Sequence, residues 1–170
     1  MSEFVKGVRE VYFEDDGVIP NSRLAVLIYE GVLKDRLGDV EDVFNENGWL
    51  NSWVNGVFGY HHYHSNSHEV LGVVSGDVTV QLGGAHGQAF TLVAGDVVVL
   101  PAGTGHKRLK ASEDFRIVGA YPGGMSYNTR TGESGEYEQA LQEIPRVPVP
   151  DSDPVFGADG PLVRLWREGR

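Results

Sequence analysis

Short apolar runs separated by glycine-rich turns dominate the centre of the chain. Between residues 52 and 122 these runs are interrupted by the sequences SGD, GGAHG, AGD and PAGTG. Regularly spaced strands and tight turns of this kind predict an antiparallel β-sandwich or barrel. We therefore place the core of a single domain in residues 52–122.

The first 50 residues are predicted to form an N-terminal arm that leads into this core. Residues 23–33, RLAVLIYEGVL, follow a turn signal and are apolar over a length that suits one buried strand. Asp39 stands where it can cap a short helix with one apolar face, and Gly48 follows the expected end of that helix.

Residues 123–170 differ from the centre in both spacing and proline content. An amphipathic helix is predicted by four apolar residues at helical spacing, namely Tyr137, Ala140, Leu141 and Ile144. Five of the eight prolines lie in residues 144–161, which we expect to extend over the barrel, because proline cannot sit in a central strand. The sequence PLVRLW, residues 161–166, is predicted to form a final edge strand.

Composition limits the function classes. The chain has 170 residues and a net charge of −10, which makes nucleic acid and anionic membrane surfaces poor partners. It contains no cysteine, so disulfides and thiolate metal sites are excluded. The apolar stretches are too short to span a bilayer and the N-terminus lacks an apolar signal segment, so a cytoplasmic location is expected.

Four of the six histidines lie close together in the sequence HHYHSNSHE. Alternate residues of a strand face the same side, so His62 and His64 point together while His61 points away. A polar turn then brings Glu69 back beside this pair, and His106 follows a proline- and glycine-rich turn that places it on a neighbouring strand. His61 and His68 are predicted to be surface or supporting residues.

Two or three imidazoles and a carboxylate on one face form a ligand set for a first-row divalent metal ion. Such a set leaves about two coordination positions open for a small molecule. The alternative is a polar cluster in a barrel that has lost its metal, and the residues alone leave it open.

The spacing of these residues resembles the two motifs of the cupin superfamily, and the longer run around them resembles the YjlB-like cupins. The matching positions are Gly56, His62, His64, Glu69 and Gly76 in the first motif and Gly95, Pro101, Gly103 and His106 in the second. Lys110 stands where the second motif usually has asparagine. The two motifs cover residues 56–110.

The resemblance implies an all-β fold: a single-domain jelly-roll (double-stranded β-helix) barrel over residues 1–170, with one or two short helices. It also implies one divalent transition metal ion (Fe, Mn, Ni, Co or Zn) on His62, His64, Glu69 and His106. A homodimer is expected because an open barrel exposes strand edges.

The basic residues after His106 bear on the charge of the small-molecule partner. If the strand after His106 is regular, Arg108 and Lys110 face the barrel mouth and favour a small anionic substrate; the alternative is a solvated strand end. Tyr60, Tyr121 and Lys110 are candidate bases near the substrate. The function expected is that of a metal-dependent oxidoreductase of the dioxygenase type or an isomerase, and the alternative is a non-catalytic module that binds or senses a small ligand.

Overall fold

Nine antiparallel strands form the framework of the protein in the computed structural model, which describes residues 7–169. The strands are β1 (Val8–Val11), β2 (Val26–Tyr29), β3 (Trp49–Asn55), β4 (Glu69–Ser75), β5 (Asp77–Leu82), β6 (Gln88–Val93), β7 (Val97–Leu100), β8 (His106–Ala111) and β9 (Arg116–Pro122). They form a six-stranded sheet in the order β1-β2-β7-β4-β9-β3 and a three-stranded sheet in the order β6-β5-β8.

The two sheets face each other across a buried apolar core. In β5, alternation places Val78, Val80 and Leu82 in this core, where they pack against residues of the larger sheet such as Ile28 and Ile117. This arrangement confirms the predicted all-β jelly roll. The first 50 residues contribute β1 and β2 to the larger sheet, so the barrel is not confined to residues 52–122.

Among the described residues, three α-helices accompany the sheets: α1 (Val40–Glu46), α2 (Glu136–Glu143) and α3 (Pro161–Glu168). The predictions of α1 and α2 are confirmed, although the Asp39 side chain makes no capping hydrogen bond. Within residues 7–169, no helix is both long enough and apolar enough to cross a membrane.

The prediction of a final edge strand is wrong, because the sequence PLVRLW forms the start of α3. Pro161 occupies the first turn, where its missing N–H has no helical partner to lose. Leu162 and Trp166 lie four residues apart on the same helical face, and both are completely buried in the core that covers the outer face of the larger sheet.

Strand β8 is irregular, and this changes where its basic residues lie. His106 and Arg108 pair with inward-facing residues of β5, but the register shifts between Thr79 and Val80, so that Lys110 pairs with Thr79. Thr79 belongs to the outer face of the sheet, because it alternates with the buried residues of β5. A one-residue shift reverses the side-chain alternation, so the expectation that Lys110 shares the face of His106 is wrong.

Candidate metal centre

The four predicted ligands lie together where the two sheets meet. Glu69 is the first residue of β4 in the larger sheet, and His106 is the first residue of β8 in the smaller one. The segment between β3 and β4 crosses this region, and two backbone hydrogen bonds of 3.1 and 2.9 Å join His62 to His106. His64 is held in the same segment, because its carbonyl oxygen accepts a 2.7 Å hydrogen bond from Gly103.

The side chains are buried and their ligand atoms converge. One ring nitrogen from each of His62, His64 and His106 lies within 4.8 Å of the other two. Glu69 Oε1 lies 3.3 Å from Nε2 of both His64 and His106. All four residues are at most 5% exposed. The structure therefore brings together the four residues that the sequence predicted as metal ligands.

Backbone carbonyl groups orient the three imidazoles. Each Nδ1 lies within hydrogen-bond distance of a carbonyl oxygen, and because such an oxygen only accepts, Nδ1 carries the proton. The pairs are His62 with Tyr60 (3.0 Å), His64 with Asn128 (2.5 Å) and His106 with Thr104 (3.0 Å). In a neutral imidazole this leaves the Nε2 lone pair free to bind a metal, which is the usual supporting arrangement for histidine ligands.

The two oxygens of the Glu69 carboxylate differ: one accepts a hydrogen bond and the other has no hydrogen-bond partner among the described residues. Its Oε2 accepts a 2.7 Å hydrogen bond from the Tyr121 hydroxyl, which in turn accepts one of 2.9 Å from Trp53 Nε1. Oε1 is buried but makes no hydrogen bond within the described part of the chain. A buried oxygen without a donor, facing imidazole nitrogens, is stabilised by a cation placed among them. The donor set therefore fits a first-row divalent ion.

The charges of the site support the same interpretation. Burial, and then the neighbouring His106, lower the pKa of His62 to about 3, so this imidazole is neutral at pH 7. Burial raises the pKa of Glu69, but attraction to His64 and contacts with His106 outweigh burial and hold that pKa below its usual range. Burial lowers the pKa of His64, but Glu69 raises it overall. A proton on His64 and a metal ion are thus alternative ways to balance the Glu69 charge.

A cavity of about 240 Å³ adjoins these side chains. Its walls are largely aromatic and aliphatic. Besides the four candidate ligands, it is lined by Trp53, Val54, Asn55, Gly56, Val57, Phe58, Leu71, Tyr121, Tyr127 and Thr129. The Tyr121 and Tyr127 rings stack with their centroids 4.1 Å apart. At the mouth, the half-exposed rings of Phe58 and Tyr60 stack at 5.0 Å.

The residues proposed from sequence for the substrate occupy different environments. Tyr121 is buried and positions Glu69. Tyr60 is half-exposed at the mouth, and the exposed Arg108 lies beside Gly59 at the rim. Lys110 is exposed on the outer face of β8, away from the face of His106.

Two residues that sequence reasoning missed act on the site from the loop after β9. The Asn128 carbonyl oxygen orients His64, and the Asn128 side chain binds Ser65 through both its oxygen and its nitrogen. Tyr127 packs edge-on against His64, with ring centroids 4.9 Å apart. These contacts link positions more than 60 residues apart, and no local pattern in the sequence indicates them.

His68 has a supporting role and does not point at the other histidines. It is 2% exposed, its Nδ1 accepts a 2.9 Å hydrogen bond from the Ala102 N–H, and its Nε2 donates to the Pro148 carbonyl oxygen at 3.0 Å. The ring also packs against Trp166 of α3, at 4.7 Å. His68 therefore ties the proline-rich segment to the turn that precedes Glu69.

Comparisons with known proteins agree with this architecture. Residues 52–118 match the Cupin domain family. The uncharacterized protein YjlB of Bacillus subtilis (strain 168) is 45% identical over 156 residues, which cover 91% of this chain and 94% of YjlB.

Two solved structures match parts of the chain more distantly. An acireductone dioxygenase from Bacillus anthracis, with a cadmium ion in its active centre, is 20% identical with a TM-score of 0.38, covering 56% of this chain and 62% of that one. The WlaRB TDP-quinovose 3,4-ketoisomerase from Campylobacter jejuni is 16% identical with a TM-score of 0.41, covering 54% and 74%. The identity with YjlB over nearly all of both chains, together with the Cupin domain match, establishes that this chain belongs to the cupin family, in the group that contains YjlB.

Proposed function

We propose that the protein binds one divalent transition metal ion through His62, His64, Glu69 and His106, and that a small molecule coordinates this ion from the adjoining cavity. The observation that carries the proposal is the buried Glu69 Oε1, which lies 3.3 Å from two imidazole nitrogens and makes no hydrogen bond in the described residues. Neighbouring ligands of one ion, at about 2.1 Å from it, stand about 3 Å apart, so this spacing suits shared coordination.

The residues of the chain prepare the site, and the ion supplies the reactivity. When bound, a divalent ion with open positions polarises a coordinated oxygen group or, if it is iron, supports reactions with O₂. The carbonyl groups of Tyr60, Asn128 and Thr104 keep the imidazoles in the ligating tautomer. Tyr121 keeps one oxygen of Glu69 occupied and the other directed at the histidines. The walls beside the four side chains are largely apolar.

The arrangement favours a metal-dependent oxidoreductase of the dioxygenase type over an isomerase. An isomerase needs a base near the substrate carbon. Of the three bases suggested by the sequence, Tyr121 donates a hydrogen bond to Glu69, Tyr60 is half-exposed at the mouth, and Lys110 is on the outer face. Among the described residues that line the cavity, Glu69 is the only carboxylate and no lysine is present.

The second candidate is a non-catalytic module that binds a small ligand through the metal. The same shortage of a free acid or base in the described cavity wall favours it. The two candidates differ in turnover: an oxidoreductase consumes O₂ when iron-loaded protein meets its substrate, whereas a binding module shows ligand-dependent stabilisation alone. The expected homodimer stays a prediction under either candidate.

Metal removal is the first test. Protein purified without chelators or nickel resin is expected to contain about one transition metal ion per chain, measured by plasma mass spectrometry. Chelation at neutral pH should lower the melting temperature, because an ion that binds only the folded state stabilises it by about 4 kcal/mol at 1,000 times its Kd. Adding back Fe(II), Mn(II), Ni(II), Co(II) or Zn(II) should restore the melting temperature. If the protein is purified without metal and none of the five ions changes its melting temperature, the proposal is refuted.

The role of Tyr121 gives a second prediction. Tyr121→Phe removes the hydrogen bond that fixes Glu69 Oε2, so metal affinity should fall by about 10–100-fold, the usual effect of losing such a supporting partner. Competition against a fluorescent chelator measures this change. Tyr137→Phe is the matched control, because Tyr137 also donates to a carboxylate, that of Asp15 (2.6 Å), but on the protein surface. Equal affinities of both variants and the unaltered protein would show that Tyr121 does not position the ligand.

A further inference from the structure

Aromatic rings border the candidate metal centre next to two different ligands. Phe58 stands edge-on to His62, with centroids 5.1 Å apart and planes at 71°. Tyr127 stands edge-on to His64, at 4.9 Å and 71°. Tyr121 continues this second wall by stacking on Tyr127. A molecule that enters the cavity and reaches the ion therefore meets aromatic surface beside both histidines.

The cavity also restricts the charge of its occupant. Three neutral imidazoles, one carboxylate and a divalent ion carry a net charge of +1. Among the described residues that line the cavity, Glu69 is the only one with a formal charge when the histidines are neutral. Arg108 is exposed at the rim and Lys110 lies on the outer face. One negative charge on the ligand is neutralised at the ion, but a second would be desolvated against apolar walls without a partner.

The size of the cavity points to a small occupant. Its volume of about 240 Å³ lies below the roughly 300–1,000 Å³ of sites that hold drug-sized molecules. A single ring with its substituents fits this space. Two open positions on the ion suit a pair of neighbouring oxygens on that ring.

We infer that the natural ligand is a small planar molecule that binds the ion through two neighbouring oxygen atoms, carries at most one negative charge and has an apolar body. This inference rests on the proposed metal site. It differs from the anionic substrate that Arg108 and Lys110 suggested in the sequence. Lys110 is on the other face of β8, and Arg108, which keeps the face of His106, is exposed and is not among the described residues that line the cavity. Planar ring compounds gain contact with Phe58 and Tyr127, whereas a second anionic group on the ring would be desolvated against apolar walls without a partner.

Zinc-loaded protein titrated calorimetrically with kojic acid and comenic acid tests the inference. The two compounds have the same ring and the same neighbouring oxygens, but comenic acid has a carboxylate in place of a neutral hydroxymethyl group. We expect kojic acid to bind at least about tenfold more tightly, a factor that corresponds to 1.4 kcal/mol. Equal binding, or tighter binding of comenic acid, would overturn the inference.

Replacing one aromatic wall separates the ligand class from metal binding. Phe58→Ala should weaken kojic acid by about tenfold, the upper range for one aromatic contact, and leave acetohydroxamate, a chelator with two neighbouring oxygens, at most one negative charge and no ring, unchanged. Tyr12→Ala is the control, because Tyr12 is 60% exposed and belongs to the N-terminal arm. Zinc content is measured in every sample. If Phe58→Ala contains one zinc ion per chain and its affinity for kojic acid does not fall selectively, the ligand class alone is contradicted. If the unaltered protein binds no zinc, the metal site is contradicted, and the inference with it.

Discussion

Glu69→Gln is expected to lower metal affinity by more than about 100-fold, beyond the 10–100-fold that supporting partners contribute. The substitution keeps the size of the side chain and an oxygen that accepts from Tyr121, so the fold should be retained. It removes the negative charge that offsets the ion, which makes the site neutral before metal binding. His106→Ala should have an effect of similar size, because it removes an imidazole that is 3% exposed and directed at Glu69.

Two substitutions control for general effects on the protein. Glu41→Gln alters a carboxylate that accepts a 2.6 Å hydrogen bond from Ser52, away from the histidines. His61→Ala removes the histidine next to His62; His61 is partly buried and is not among the described residues that line the cavity or converge as candidate ligands. Both controls should retain about one ion per chain, measured by plasma mass spectrometry after dialysis. Metal retained by Glu69→Gln, or lost equally by His61→Ala, would contradict the assigned ligands.

His62 and His64 were predictable from short-range geometry, because alternate residues of an extended segment face the same side. Glu69 and His106 reach them through longer-range contacts: the predicted hairpin does not form, since β4 pairs with β7 and β9, and the histidine segment bridges to His106 instead. The continuous apolar run in residues 23–33 also predicted a strand correctly. Its centre, β2, is buried on both faces, with the barrel core on one side and α1 and α3 on the other.

The failures occurred where the outcome depends on distant parts of the chain. Six residues with mixed apolar and basic character, PLVRLW, fit both an edge strand and one helical turn and a half, and the surface that they pack against decides between the two. The position of Lys110 depends on a register shift against β5, which a strand sequence alone does not reveal. The support that Asn128 and Tyr121 give to the site requires contacts across more than 50 residues.

The second large effect concerns Asp153, which anchors the C-terminal segment. This residue is completely buried, and its carboxylate accepts four hydrogen bonds. The donors are the Tyr29 hydroxyl (2.5 Å) and the backbone N–H groups of Val155 (2.8 Å), Phe156 (3.1 Å) and Leu162 (3.1 Å). Burial, and then the charge of Asp153, raise the pKa of Tyr29 well above its usual value, so Tyr29 keeps its proton. One side chain thus joins β2, the turn after Asp153 and the start of α3.

Asp153→Ala should reduce the free energy of unfolding by about 3–5 kcal/mol, because it leaves buried donors without an acceptor. The measurement is urea denaturation, in which the midpoint falls while the slope is unchanged. Asp151→Ala is the matched control two residues away: its side chain is fully exposed and lies 3.8 Å from the exposed Arg167, so its effect should stay within about 0.5 kcal/mol.

Because Trp166 of α3 packs on His68, which holds the turn before Glu69, Asp153→Ala should also weaken metal binding. Equal stability of the two variants would show that the carboxylate does not anchor α3, and unchanged metal affinity in a destabilised Asp153→Ala would show that the candidate centre is independent of the C-terminal segment.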